Sequence, residues 1–157
     1  MAALQHEVNK KLPFDLPEQE AFLNLIRTAA DLEGPLHAVL KQHGLTPSTY
    51  NVLRILRGSG KDGRHASDIG CDMVVRVPDV TRLVDRLEQR GLVERERSTT
   101  DRRVVIVRIS KRGTALLKEL DEPVLEVHRG QLGHLSADEL EALNGLLVKA
   151  RRAESQD

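Results

Sequence analysis

The sequence predicts a mainly α-helical chain interrupted, past its midpoint, by one small β-hairpin. Two observations carry that prediction. Apolar residues recur at three- and four-residue steps through most of the chain, the spacing of a helix with one buried stripe. The exception lies between Leu92 and Ile109, where two strand-like runs flank a polar loop, the second run being nearly all β-branched. Composition sets the scale: 157 residues, 39% hydrophobic but only 2% aromatic, make one domain with an aliphatic core.

Residues 1–15 show no clear period and read as an irregular arm. Pro17 can open a helix, with Glu18 and Glu20 in the first turn, where negative charge is favoured. Phe22, Leu25, Ile26, Ala29, Leu32, Leu36, Val39 and Leu40 continue it, Gly34-Pro35 bends it, and Gly44 ends it just beyond His43. Thr46-Pro47 is a second start, a capping hydroxyl followed by proline, and that helix runs through Tyr50, Leu53, Ile55 and Leu56 to Gly58. After the loop 59–63 comes a short helix, residues 65–73, with Ile69 and Met73 inward, and then the connector Val74, Val75 and Arg76.

The stretch 77–110 organises the rest. Val80, Leu83, Val84 and Leu87 draw one apolar stripe, Pro78 suits a first helical position, Asp79 and Arg90 complement the two ends of the dipole, and Gly91 can close the helix. Such a helix is about 13 residues, or roughly 20 Å, long. Its opposite face carries Pro78, Thr81, Arg82, Asp85, Arg86 and Gln89, with Asp79 on the margin. A rigid polar rod of this width fits the major groove of B-DNA, where Arg82, Arg86 and Thr81 can reach base edges or phosphates. The alternative is a surface helix with solvated charges.

The hairpin that follows shifts the balance. Strands Leu92–Arg97 and Val104–Ile109 enclose Ser98, Thr99, Thr100, Asp101, Arg102 and Arg103, a polar tip with two guanidinium groups. Two helices joined by a turn, then a hairpin, form the order of a winged helix-turn-helix, with the second helix in the major groove and the tip in the adjacent minor groove. Asp101 can hold one of the arginines extended; otherwise the tip is a solvated turn with Arg102 or Arg103 paired to Asp101. Both elements together favour double-stranded DNA as partner. Charge agrees: residues 46–110 hold 13 Lys+Arg and 9 Asp+Glu, 13 − 9 = +4, so a neutral chain leaves −4 on its flanks.

Beyond the hairpin, Ser110 opens a helix with Ala115, Leu116, Leu117 and Leu120, bent by Pro123 before Val124, Leu125 and Val127. Ser136 and Glu139 make a capping box for a last helix bearing Leu140, Leu143, Leu146, Leu147 and Ala150. Leucine-rich helices at both chain ends need a partner surface, and a second copy supplies one. A two-fold dimer would set two recognition helices about 34–36 Å apart on an inverted repeat. The alternative is a monomeric bundle.

The motifs LTPSTYNVLRIL (45–56), PDVTRLVDRLEQRGLVERERS (78–98), TDRRVVIVRIS (100–110) and KRGTALL (111–117) resemble the MarR family of bacterial transcription regulators. The resemblance spans Gly44 to Leu120. It implies a homodimer with intertwined terminal helices (17–43 and 111–153), a DNA-binding lobe (46–110) and repression at a palindromic operator. It also implies that Arg103 enters the minor groove, oriented by Asp101. Many relatives release DNA when a small phenolic or lipophilic compound enters a crevice between the dimer helices and the DNA lobe.

The expected DNA-facing set is therefore Arg76, Pro78, Asp79, Thr81, Arg82, Arg86, Thr99, Thr100, Asp101, Arg102 and Arg103. Arg27 and His37 on the first long helix are candidates for an effector crevice, or else interface or solvated residues. Thiol-sensing relatives carry a cysteine near the N-terminus beside tyrosines, whereas the one cysteine here is Cys71, in the helix before the recognition helix, which reads as buried and inert. Urate-sensing relatives use a tryptophan, and this chain has none. His6, His37, His43, His128 and His134 lack tight ligand spacing, so neither a metal nor a cofactor is expected. No paired carboxylates or glycine-rich phosphate loop point to an enzyme. One cysteine, no secretory signal and no long apolar run lead to the expectation of a cytoplasmic protein. The competing functional class is a winged helix that docks on an acidic protein face instead of on DNA.

Overall fold

The computed structural model describes residues 3–97 and 104–152. In chain order these form α1 (Ala3–Glu7), α2 (Pro17–Gln42), α3 (Pro47–Gly58), β1 (Arg64–His65), α4 (Ala66–Asp72), α5 (Val80–Gln89), β2 (Val93–Arg97), β3 (Val105–Ile109), α6 (Lys111–Leu132) and α7 (Ala137–Arg151). The strands make one antiparallel sheet in the order β1-β3-β2, with Val93 opposite Ile109 and Arg97 opposite Val105. It is the mainly helical, winged helix-turn-helix architecture that the sequence predicts.

The central helix is α3. Thr46 caps it, its hydroxyl accepting from the Thr49 amide while Thr49 Oγ1 accepts from the Thr46 amide, and Pro47 occupies the first turn. Val52, Leu53 and Leu56 then point into a core completed by Leu40 of α2, Ile69 of α4, Val84 and Leu87 of α5, Val93 and Val107 of the sheet, and Leu117 and Leu120 of α6. Each fully buried aliphatic side chain contributes about 1.5–3 kcal/mol over leaving it in water.

Several expectations change, among them a buried Cys71: α4 turns Ile69 to the core and leaves Cys71 exposed. Ala3–Glu7 form a helix with Leu4 buried, where an irregular arm was expected; a single anchored leucine in so short a segment leaves no period to read. The recognition helix begins at Val80 rather than Pro78, because the Asp79 carboxylate accepts the Arg82 amide and so takes the capping position. Helices α2 and α6 continue through Pro35 and Pro123, as the apolar spacing on either side of each proline indicates. Proline frees the carbonyl four residues before it, and Asp31 and Glu119 are both exposed, so water can satisfy that group. Strand β1 was not anticipated. Gly63, at φ +71°, lets Arg64 and His65 lie against β3; a side-chain carbon there would meet the Val107 carbonyl at 2.6 Å.

The hairpin is tied at its base and along its flank. Ser110 Oγ donates to the Gly91 carbonyl and accepts the Gly113 amide, so one hydroxyl closes the hairpin and starts α6. Arg95 of β2 reaches across to α5: its Nη2 donates to Asp85 (2.5 Å) and to the Thr81 carbonyl (3.4 Å), and Nε lies 3.6 Å from Glu88. Arg90, at the end of α5, donates to the carbonyls of His43 and Gly44 and so caps the C-terminus of α2. Arg57 of α3 makes two parallel hydrogen bonds, 2.9 and 2.8 Å, to the Asp121 carboxylate of α6.

Beyond this body, the helices are uncovered. Every residue from Ala21 to Asp31 of α2 is exposed, and α7 buries none of its side chains. The Ser136–Glu139 capping box is formed as expected, so the start of α7 is well defined although only Leu140 and Leu147 of the helix are partly covered.

Arg95→Met should cost about 1–3 kcal/mol in urea unfolding, the usual loss for hydrogen bonds to charged groups, and should speed amide exchange in the first turn of α5. The paired guanidinium of Arg57 holds the Asp121 carboxyl below the usual carboxylate range. A carboxylate lowered on folding stabilises above its unfolded value, near pH 4, and loses that contribution as pH falls through the folded one. Asp121→Asn should therefore flatten the fall in stability between about pH 5 and pH 3, measured by thermal unfolding against pH.

Candidate nucleic-acid interface

The α5 stripe goes inward as its spacing predicts. Val84 and Leu87 are buried, and Val80 and Leu83 pack partly against the core. That burial fixes the rotation of the helix and turns Thr81, Arg82, Arg86 and Gln89 to solvent. Arg76 and Pro78, in the connector before α5, are exposed on its N-terminal side, as is the capping residue Asp79. The structure thus brings Arg76, Pro78, Asp79, Thr81, Arg82 and Arg86 into one contiguous segment. Thr99, Thr100, Asp101, Arg102 and Arg103 of the expected set lie outside the described residues.

Within that segment the side chains do different work. Arg82 is the most open, 77% exposed, and its Nε lies 3.0 Å from the Asp79 carboxylate. The contact uses Nε, not the Nη pair that makes two-pronged contacts with guanine or phosphate. Asp79 therefore has a double task, capping the helix and steadying the arginine above it. Asp85 is drawn off the polar face toward Arg95, which neutralises a carboxylate that would otherwise oppose phosphate. Arg86 stands one turn beyond Arg82 on the same face.

Sequence reasoning missed Arg95, Arg90 and Asn51 as supports. Asn51 of α3 accepts the amide of Val74 and pins the connector from behind. For Arg95 a signal existed: in a strand it shares its face with Val93, two residues away, and so must look inward toward α5. Asn51 and Arg90 act across long chain separations, and no local rule pairs them with their partners.

The two effector candidates are not brought together. Arg27 and His37 are ten residues apart on α2, about 15 Å along the axis and on different faces. Arg27 is paired with Glu7 of α1 at 3.1 Å, and His37 is exposed. Among the described residues no group of three or more His, Cys, Asp or Glu could hold a metal ion, and no helix is long and apolar enough to cross a membrane.

Comparison with known proteins agrees with this geometry. The model of the MarR family matches residues 45–105, from the turn before α3 into β3. A MarR transcription factor of Planctomyces limnophilus is 43% identical in sequence, with 86% of this chain and 98% of that chain covered at a TM-score of 0.68. A point mutant of MarR from Escherichia coli, solved in complex with operator DNA, is 25% identical at a TM-score of 0.75, covering 88% of this chain and 99% of that one. BpsR of Bordetella bronchiseptica, whose DNA binding is regulated by 6-hydroxynicotinic acid, is 25% identical at a TM-score of 0.77, covering 91% and 100%. With the helix-turn-helix, the hairpin and a relative this similar over nearly its whole length, the chain belongs to the MarR family of transcription regulators.

Proposed function

We propose that this chain is a homodimeric repressor that binds a palindromic operator in double-stranded DNA and is released by a small-molecule effector. The observation that carries the reading is the polar face of α5, held outward by its buried stripe and braced to β2 by Arg95. A guanidinium-bearing rod so fixed suits the major groove, with Arg82 and Arg86 reaching base edges or phosphates. Thr99, Thr100, Asp101, Arg102 and Arg103 would then serve the adjacent minor groove, Arg103 inserting and Asp101 orienting it.

The dimer rests on the uncovered helices. Phe22, Leu25 and Ile26 of α2, Leu125 of α6, and Leu143 and Leu146 of α7 are all exposed, apolar surface that a second copy would take out of water. In this reading, residues 17–43 and 111–153 join the two copies, and residues 46–110 form the DNA-binding lobe. A two-fold axis then matches an inverted repeat whose halves lie about one helical turn apart. The effector would be a small aromatic or lipophilic molecule, in keeping with the regulation of BpsR by 6-hydroxynicotinic acid. Arg27 and His37 enter only as residues near such a crevice. The role is regulatory, not enzymatic, needs no cofactor or metal, and is exercised in the cytoplasm, where the DNA is.

Gel shift and footprinting with the DNA flanking the coding region test the proposal. Arg82→Ala should cost about 1–3 kcal/mol of binding and relax base preference at one position in each half-site. Arg103→Ala should weaken binding to all sequences and reduce the slope of log K against log salt by about one. Absence of any shift at low salt would refute the reading and point to a protein partner instead.

A further inference from the structure

The connector between α4 and α5 holds two apolar side chains that the core does not use. Val74 is 88% exposed and Val75 68% exposed. They are not the free end of a loose loop. Met73 on one side is buried, Val77 on the other packs against the core, and the Val74 amide is held by Asn51 at 2.9 Å. Anchored at both ends, the chain between them is forced outward. Exposed Arg76 follows immediately, and Arg82 and Arg86 stand on the open face of α5, while the carboxylates among them are matched, Asp79 by Arg82 and Asp85 and Glu88 by Arg95.

That position is chemically specific. In a helix-turn-helix the N-terminal residues of the second helix contact the base edges, and Val74 and Val75 stand on the connector that leads into that end. The floor of the major groove carries one apolar group, the C5 methyl of thymine. The flanking arginines complement phosphates, so charge directs this surface to a polyanion and away from an apolar protein face. We propose that Val74 and Val75 are specificity-determining residues that cover thymine methyl groups in each half-site. The proposal rests on the DNA-binding reading above and adds to it a base preference that no arginine on α5 supplies.

The test compares the full-length wild type with a Val74→Ser, Val75→Ser variant on the footprinted duplex, prepared either with thymine or with uracil throughout. Uracil keeps the base pairing and removes only the methyl groups. The wild type should bind the uracil duplex more weakly, by roughly fourfold for each methyl covered. The variant should bind the thymine duplex more weakly and distinguish the two duplexes far less, with its salt slope unchanged. Both residues are exposed, so the melting temperature should not move; Val74→Thr, Val75→Thr, which keeps the shape, should fall between the two. A wild type indifferent to uracil, or a serine variant that keeps the full preference, would overturn the proposal while leaving DNA binding intact. A lowered oligomeric state in the serine variant would assign the pair to contact between copies and also overturn it. A wild type that binds neither duplex would instead sink the DNA-binding reading itself.

Discussion

The packing of one aliphatic stripe determines what this molecule can present to a partner. Val84 and Leu87 of α5 meet Val52, Leu53 and Leu56 of α3 in the core, and none of these side chains has appreciable exposure. Since successive helical residues are turned by about 100°, rotating α5 by one position would bring Val84 out and carry a charged residue in. Burying an unpaired charge costs several kcal/mol, so the helix has one stable rotation. The outward direction of Arg82 and Arg86 follows from apolar burial behind them rather than from any contact they make themselves.

Polar contacts then fix the remaining freedoms. Arg95 links the wing strand to the first turns of α5, Arg90 links its last turn to the end of α2, and Asn51 fixes the connector that precedes it. Arg90 and Asn51 join elements that the chain separates widely, Arg95 joins neighbours, and each uses a side chain to satisfy a backbone group or a carboxylate that would otherwise be left to solvent. The result is an exposed, arginine-bearing segment supported from three directions. Rigidity of this kind lowers the ordering cost of binding, so that charge complementarity is converted into affinity.

How much of this was legible in the sequence depended on whether the governing interaction was local. The α5 stripe, the Thr46 and Ser136 caps and the alternation of β3 are rules of spacing, and they were readable to within a residue or two. The start of α5 was misplaced because Pro78 and Asp79 are both acceptable at a helix start, and only the Asp79–Arg82 hydrogen bond decides between them. Pro35 and Pro123 both lie inside continuous helices, which the apolar period resuming after each proline made readable. Strand β1 depends on Gly63 lying against β3, far along the chain, and two residues are too few to show a period. The MarR resemblance reached the correct family from motifs alone. It could not show that Arg27 is paired with Glu7 and that His37 stands well apart from it on α2.

In the proposed function, α5 and its connector meet DNA and the helical ends are reserved for a second copy. Hydrogen–deuterium exchange on the full-length protein, with and without the footprinted duplex, examines that division directly. DNA should slow exchange across residues 74–89 while α3, already shielded in the core, changes little and the first half of α2 stays as it was. Slowing confined to α2 and α7, with residues 74–89 unaffected, would contradict it.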